Sequence, residues 1–243
     1  MKRNQNLLIV YCFFFLLQAI ITVQDWCTDT HHYGTPHTSS PILHYAIIEH
    51  DINTLCKHIT PALLDRQDEY GNTPLHTAFY AHNGTAVHTL ISYGASLAIA
   101  NNNGNFPLHL AISVYNDGEI DILSPSQINR KHGNTIIERL INTGASCDTP
   151  NIYGDTPMHM AARHSHVRIV ELLIRNHADL NVKNDRNISP FYLCVKRNDP
   201  RLIVTCVYYG AHINSKHKHG KTPLHCATEN ASYETTKTLL SHG

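Results

Sequence analysis

The sequence predicts an all-α solenoid of stacked helix-turn-helix units joined by β-turn or hairpin loops. Three recurring marks predict it. A Thr-Pro-Leu-His-type tetrapeptide places prolines at Pro74, Pro107, Pro157, Pro190 and Pro223, in steps of 33, 50, 33 and 33 residues. Gly94-Ala95, Gly144-Ala145, His177-Ala178 and Gly210-Ala211 keep the same beat, in steps of 50, 33 and 33. Gly71, Gly104, Gly154, Asn187 and Gly220 precede the tetrapeptides in the same register. Three marks in one register describe a single supersecondary unit that is repeated. Such a unit cannot bury its apolar side alone and stacks on its neighbours.

Taken from the N-terminus, residues 1–24 read as a targeting segment. Met1-Lys2-Arg3 gives a positive start, and residues 7–23, LLIVYCFFFLLQAIITV, form an apolar run whose only polar members are Gln18 and Thr22. That pattern is a secretory signal peptide, or a signal anchor if it is not cleaved. Residues 25–40 are polar and turn-rich and read as a linker. Repetition occupies residues 41–243, in units near 41–72, 73–105, 106–155, 156–188, 189–221 and an incomplete 222–243. The interval of 50 is one period plus an insertion of 17, lying at about residues 116–133 between the two helices of the third unit. Asp117-Gly118 and Ser124-Pro125 break any continuous helix there. A binding loop and a passively tolerated one are both open for it. Pro41, with His44-Tyr45-Ala46 behind it, marks an earlier and looser copy.

Within a unit, proline suits the first helical turn, where its missing N–H costs nothing, and the Ser or Thr before it can cap the helix. A first helix follows, as in MHMAARHS, and a second, as in VRIVELLIRN, with Val167, Ile169, Val170, Leu172, Leu173 and Ile174 on its inner side. Gly before Ala fits a left-handed helix stop, and Gly before Thr-Pro fits a tight turn. Asn187 replaces that second glycine once, as the next most tolerant residue.

These residues resemble the ankyrin repeat: 33 residues, T-P-L-H-x-A, two helices and a turn. The resemblance covers about residues 41–243, some six units. It implies that His76, His109, His159 and His225 are scaffold groups that hydrogen-bond neighbouring backbone and the hydroxyls of Thr73, Thr156 and Thr222. Tyr192 stands in once for the histidine. A catalytic histidine has no reason to recur once per unit, or to be exchanged for tyrosine.

No catalytic residue is assigned. The chain has no G-x-S-x-G, P-loop or H-E-x-x-H. No cofactor, metal or small-molecule substrate is implied. His217-Lys218-His219 puts two imidazoles at i and i+2, but Lys216 and Lys221 oppose a cation and no third ligand is evident. Seven cysteines, at 12, 27, 56, 147, 194, 206 and 226, contain no C-x-x-C pair. Cys194 stands at the address of Ala161 and Ala227, and Cys206 at that of Leu173 and Leu239, so both read as buried small hydrophobes. Cys27 is the one expected to be exposed. Nineteen basic residues balance nineteen acidic ones, so no net charge recruits nucleic acid.

The resemblance implies a partner that is another protein, bound through a concave surface of turn tips and first-helix faces. The residues before the turn Gly or Asn are Tyr70, Asn103, Tyr153, Arg186 and His219, and the first-helix residues beside them are Tyr80, Arg163, Lys196 and Glu229. Tyr and Arg are frequent interface anchors. The expectation is an exported, non-catalytic protein-interaction module, similar to host-directed proteins of intracellular bacteria. The alternatives are a scaffold anchored in a membrane by residues 7–23, and a fragment of a longer ankyrin-containing enzyme or toxin.

Overall fold

The computed structural model describes residues 42–114, 136–164, 166–217 and 220–243. The targeting segment, the linker, Pro41, the insertion at 116–133 and His219 lie outside the described residues. Thirteen helices occur among the described residues, and no strand. The first helices of the units are α1 (Ile42–Ile48), α4 (Pro74–Tyr80), α6 (Pro107–Ser113), α8 (Pro157–His164), α10 (Pro190–Arg197) and α12 (Pro223–Glu229). The second helices are α2 (Ile52–His58), α5 (Gly84–Ser92), α7 (Ile136–Asn142), α9 (Val167–Arg175), α11 (Pro200–Tyr208) and α13 (Tyr233–His242). A single turn, α3 (Pro61–Leu64), belongs to the first unit alone.

Helices of 7 to 10 residues are too short to persist alone in water, so packing must hold them. First helices stack on first helices, and second helices on second helices, in two layers. One continuous core runs between the layers. Leu75, Ala78 and Phe79 of α4 are fully buried, as are Ala86, Val87 and Leu90 of α5. In α9 the buried face is Ile169, Val170 and Leu173, while Val167, Leu172 and Ile174 are only partly covered. Cys194 and Cys206 are fully buried, with Sγ atoms 3.7 Å apart.

Proline opens α4, α6, α8, α10 and α12, as expected. The hydroxyls of Thr73, Thr156 and Thr222 do not cap these helices in the ordinary way. They point to a ring nitrogen of the histidine three residues on. Ser189, whose helix carries Tyr192 instead of His, accepts the N–H of residue 192 at 3.3 Å. Three of the second helices, α2, α5 and α11, are capped by Asp51, Asn83 and Asp199, whose side chains accept first-turn N–H groups. The first unit is also shifted by one residue. Helix bounds place Ile42–Ile48 against Pro74–Tyr80 at a step of 32, which sets His44 in the place of His76.

Candidate functional site

The seam between units is built from the tetrapeptide histidines. The main-chain N–H of Thr73 reaches His76 Nδ1 at 3.2 Å. Because a backbone N–H only donates, Nδ1 is the acceptor and the ring proton sits on Nε2. Nε2–H then donates to the carbonyl of Asn105 at 2.9 Å, at the end of the tip that leads into the next unit. His109 repeats the arrangement between Phe106 N–H (3.3 Å) and the Asp155 carbonyl (3.0 Å), and His159 between Thr156 N–H (3.1 Å) and the Ile188 carbonyl (2.9 Å). All three rings are fully buried. Burial holds each below the ordinary imidazole range, and His109 at about 4, although the hydrogen bond to the tip carbonyl works the other way. His225 makes the same contact with Thr222, but its ring is exposed. His44 is wired differently, with Nδ1 at 2.7 Å from the Thr77 hydroxyl and Nε2 at 3.2 Å from the Arg66 carbonyl.

A second address shapes the turns, and the sequence reading missed it. Asp68, Asn101, Asn151 and Asn184 each accept two backbone N–H groups, from the residues two and four places on. This Asx geometry closes the tip. Three of these side chains also donate across the seam: Asn101 to Asn72 (3.0 Å), Asn151 to Asn105 (3.0 Å) and Asn184 to Asp155 (2.6 Å). An Asn or Asp on the same beat was the available signal.

The tips stand side by side because backbone bonds join them. Asn102 N–H donates to the Tyr70 carbonyl at 3.0 Å, Ile152 N–H to that of Asn103 at 3.3 Å, and Asp185 N–H to that of Tyr153 at 3.1 Å. A Cβ on Gly104, at φ +68°, would lie 2.6 Å from Ile152 N; one on Gly154, at φ +70°, would lie 2.8 Å from Asp185 N. Glycine is therefore required there twice over, by conformation and by the approach of the next tip.

The side chains of Tyr70, Asn103, Tyr153 and Arg186 are exposed along this row. Of the first-helix residues, Tyr80 is exposed, with Asn101 donating to its hydroxyl at 3.3 Å. Lys196 is exposed and forms no ion pair among the described residues. Two others are engaged: Arg163 pairs with Asp155 at 2.6 Å, and Glu229 with Lys221 at 2.6 Å. The stripe is thus part exposed surface and part ion pairs made within the chain.

One seam departs from the rest. Asn187 (φ 57°) replaces the tip glycine, Tyr192 replaces the histidine, and His217 replaces the turn Asn or Asp. These changes meet in space. The His217 ring lies against Tyr192, with centroids 3.9 Å apart, and its Nδ1 is 3.0 Å from the Asn187 carbonyl. An imidazole thus still bridges the seam, but from the following unit.

Among the described residues no group of three or more His, Cys, Asp and Glu side chains could hold a metal ion, and no helix is long and apolar enough to cross a membrane. Family models described as "Ankyrin repeats (3 copies)" match residues 43–124 and 169–243, and one described as "Ankyrin repeats (many copies)" matches 134–174. Human transient receptor potential cation channel subfamily A member 1 is 36% identical over 84 residues, which is 33% of this chain and 8% of that protein. Ankyrin repeat domain-containing protein 13C-B of Xenopus laevis is 35% identical over 78 residues, 32% of this chain and 15% of that one. The 13C protein of Xenopus tropicalis is 33% identical over 78 residues, again 15% of its length. The match therefore spans only a small part of each relative.

Proposed function

This chain belongs to the ankyrin repeat family, and from that membership we propose that it is an exported protein-interaction module with no chemistry of its own. The contact residues in this reading are Tyr70, Tyr80, Asn103, Tyr153, Arg163, Arg186, Lys196, His219 and Glu229. One observation carries it: backbone bonds join successive tips, so Tyr70, Asn103, Tyr153 and Arg186 form one exposed row on a rigid support. Aromatic side chains lose little freedom on binding, arginine brings a planar fork of donors, and both are frequent anchors.

The test is affinity capture of a partner from the natural host, with Tyr70→Ala, Tyr153→Ala and Arg186→Ala combined. The expected result is loss of the partner with the melting curve unchanged. Capture that survives all three changes overturns this face. Export rests on residues 1–24. Intact mass from the host should be short by that segment. A full-length mass would overturn cleavage and favour an anchor at residues 7–23.

A further inference from the structure

The zero net charge of the whole chain conceals a strong polarity. Residues 41–155 hold 11 acidic and 5 basic residues, a net of −6, whereas residues 156–221 hold 11 basic and 4 acidic, a net of +7. Residues 73–105 contain no Asp, Glu, Lys or Arg at all. The tip face follows this division. Its early part is Tyr70, Tyr80, Asn103 and Tyr153; its later part is Arg163, Arg186 and Lys196.

The later part is incompletely neutralised from within. Asp155 neutralises Arg163, and Glu229 neutralises Lys221. Arg197 donates to the Arg163 carbonyl and Lys183 to the Lys216 carbonyl, contacts that leave both charges uncompensated. Arg186 and Lys196 are exposed. The one carboxylate within the tip at residues 184–187 is Asp185, which is also exposed.

We propose that the tip face of the fourth and fifth units takes a carboxylate-rich extended segment of a protein partner, held by Arg186 and Lys196. The inference rests on the interaction-module reading above and names its partner class. Neighbouring helices are spaced about 10 Å apart, and an extended chain advances about 3.3 Å per residue, so one unit corresponds to roughly three partner residues. Carboxylates at every third position would therefore meet successive units. A nucleic acid fits less well. Its charge continues along the whole strand, and a strand crossing the array would run onto the half with a net charge of −6. A protein segment can be acidic over one half and uncharged or aromatic over the tyrosines.

Fluorescence anisotropy on the full chain tests this. The probes are a labelled peptide with Glu at every third position in a Gly/Ser background, its Gln counterpart, and a single-stranded oligonucleotide. The expected result is Glu-peptide binding at least about tenfold tighter than Gln-peptide binding, and weaker at high salt. R186E/K196E should abolish that preference. R168E/R201E, an equal charge change on exposed positions of α9 and α11, should weaken binding less than about threefold. Equal loss in the two variants overturns the face. Oligonucleotide binding as tight as that of the Glu peptide overturns the partner class. No Glu preference, with host-partner capture still lost on Tyr70→Ala and Tyr153→Ala, refutes this inference alone. Capture that survives the tyrosine changes refutes the underlying reading.

Discussion

His109 ties its helix to the tip that leads into the next unit through one proton: its Nε2–H donates to the Asp155 carbonyl at 3.0 Å, while its Nδ1 accepts the N–H of Phe106. The ring is fully buried and satisfies the part-buried Phe106 N–H and the buried Asp155 carbonyl. Leaving a buried polar partner unmatched costs about 1–3 kcal/mol, and the cavity adds to that. His109→Ala should therefore lower the unfolding free energy by roughly 3 kcal/mol. His225→Ala removes an exposed ring and should cost less than about 1 kcal/mol. Urea denaturation of the two variants checks the difference, and equal losses would refute the seam role.

Acid should destabilise the fold through the same rings. His76, His109 and His159 have depressed values in the folded state, with His109 at about 4 against an ordinary 6.5. The unfolded chain therefore binds more protons between those values. The stabilisation is complete above pH 6.5 and is lost as pH falls toward 4. At pH 5 the His109 contribution alone should be smaller by about 2 kcal/mol. Urea midpoints at pH 7.5 and 5.0 measure it. His109→Gln should show a visibly shallower pH dependence, and an unchanged slope would contradict the assignment.

Alanine at the tip glycines should discriminate inner from outer positions. Gly104→Ala forces a Cβ to within 2.6 Å of Ile152 N at φ +68°, whereas Gly220, at φ +71°, has no atom within 4 Å of the added carbon. Both pay the conformational cost of about 1 kcal/mol, but only Gly104→Ala must also separate two tips, so it should cost at least twice as much. Thermal melts of the pair decide this, and equal shifts would mean that the tips move apart freely.

Thiol labelling should read burial directly. Cys56 is exposed, while Cys194 and Cys206 are enclosed between α10 and α11. A thiol-reactive reagent should modify Cys56 promptly in the native chain, and Cys194 and Cys206 only after denaturant opens the fifth unit. Peptide mapping by mass identifies the order, and prompt native modification of Cys206 would contradict the packing.

Periodicity alone made the architecture legible. Prolines, Gly-Ala stops and tip glycines recur at fixed intervals because each unit must present the same surface to its neighbour. The buried addresses of Cys194 and Cys206 follow from that logic, as does the exposure of Tyr70, Tyr153 and Arg186. Tertiary structure decided the wiring, because a hydrogen-bond partner 29 or 46 residues away depends on the approach of two chains rather than on local preference. It turned the Thr73, Thr156 and Thr222 hydroxyls toward imidazoles instead of toward the helix. It shifted the first unit by one residue. It showed that Arg163 and Glu229 already hold partners within the chain. It also brought Asn187, Tyr192 and His217, three separate departures along the sequence, to one seam, where the third replaces the bridging imidazole that the second removes.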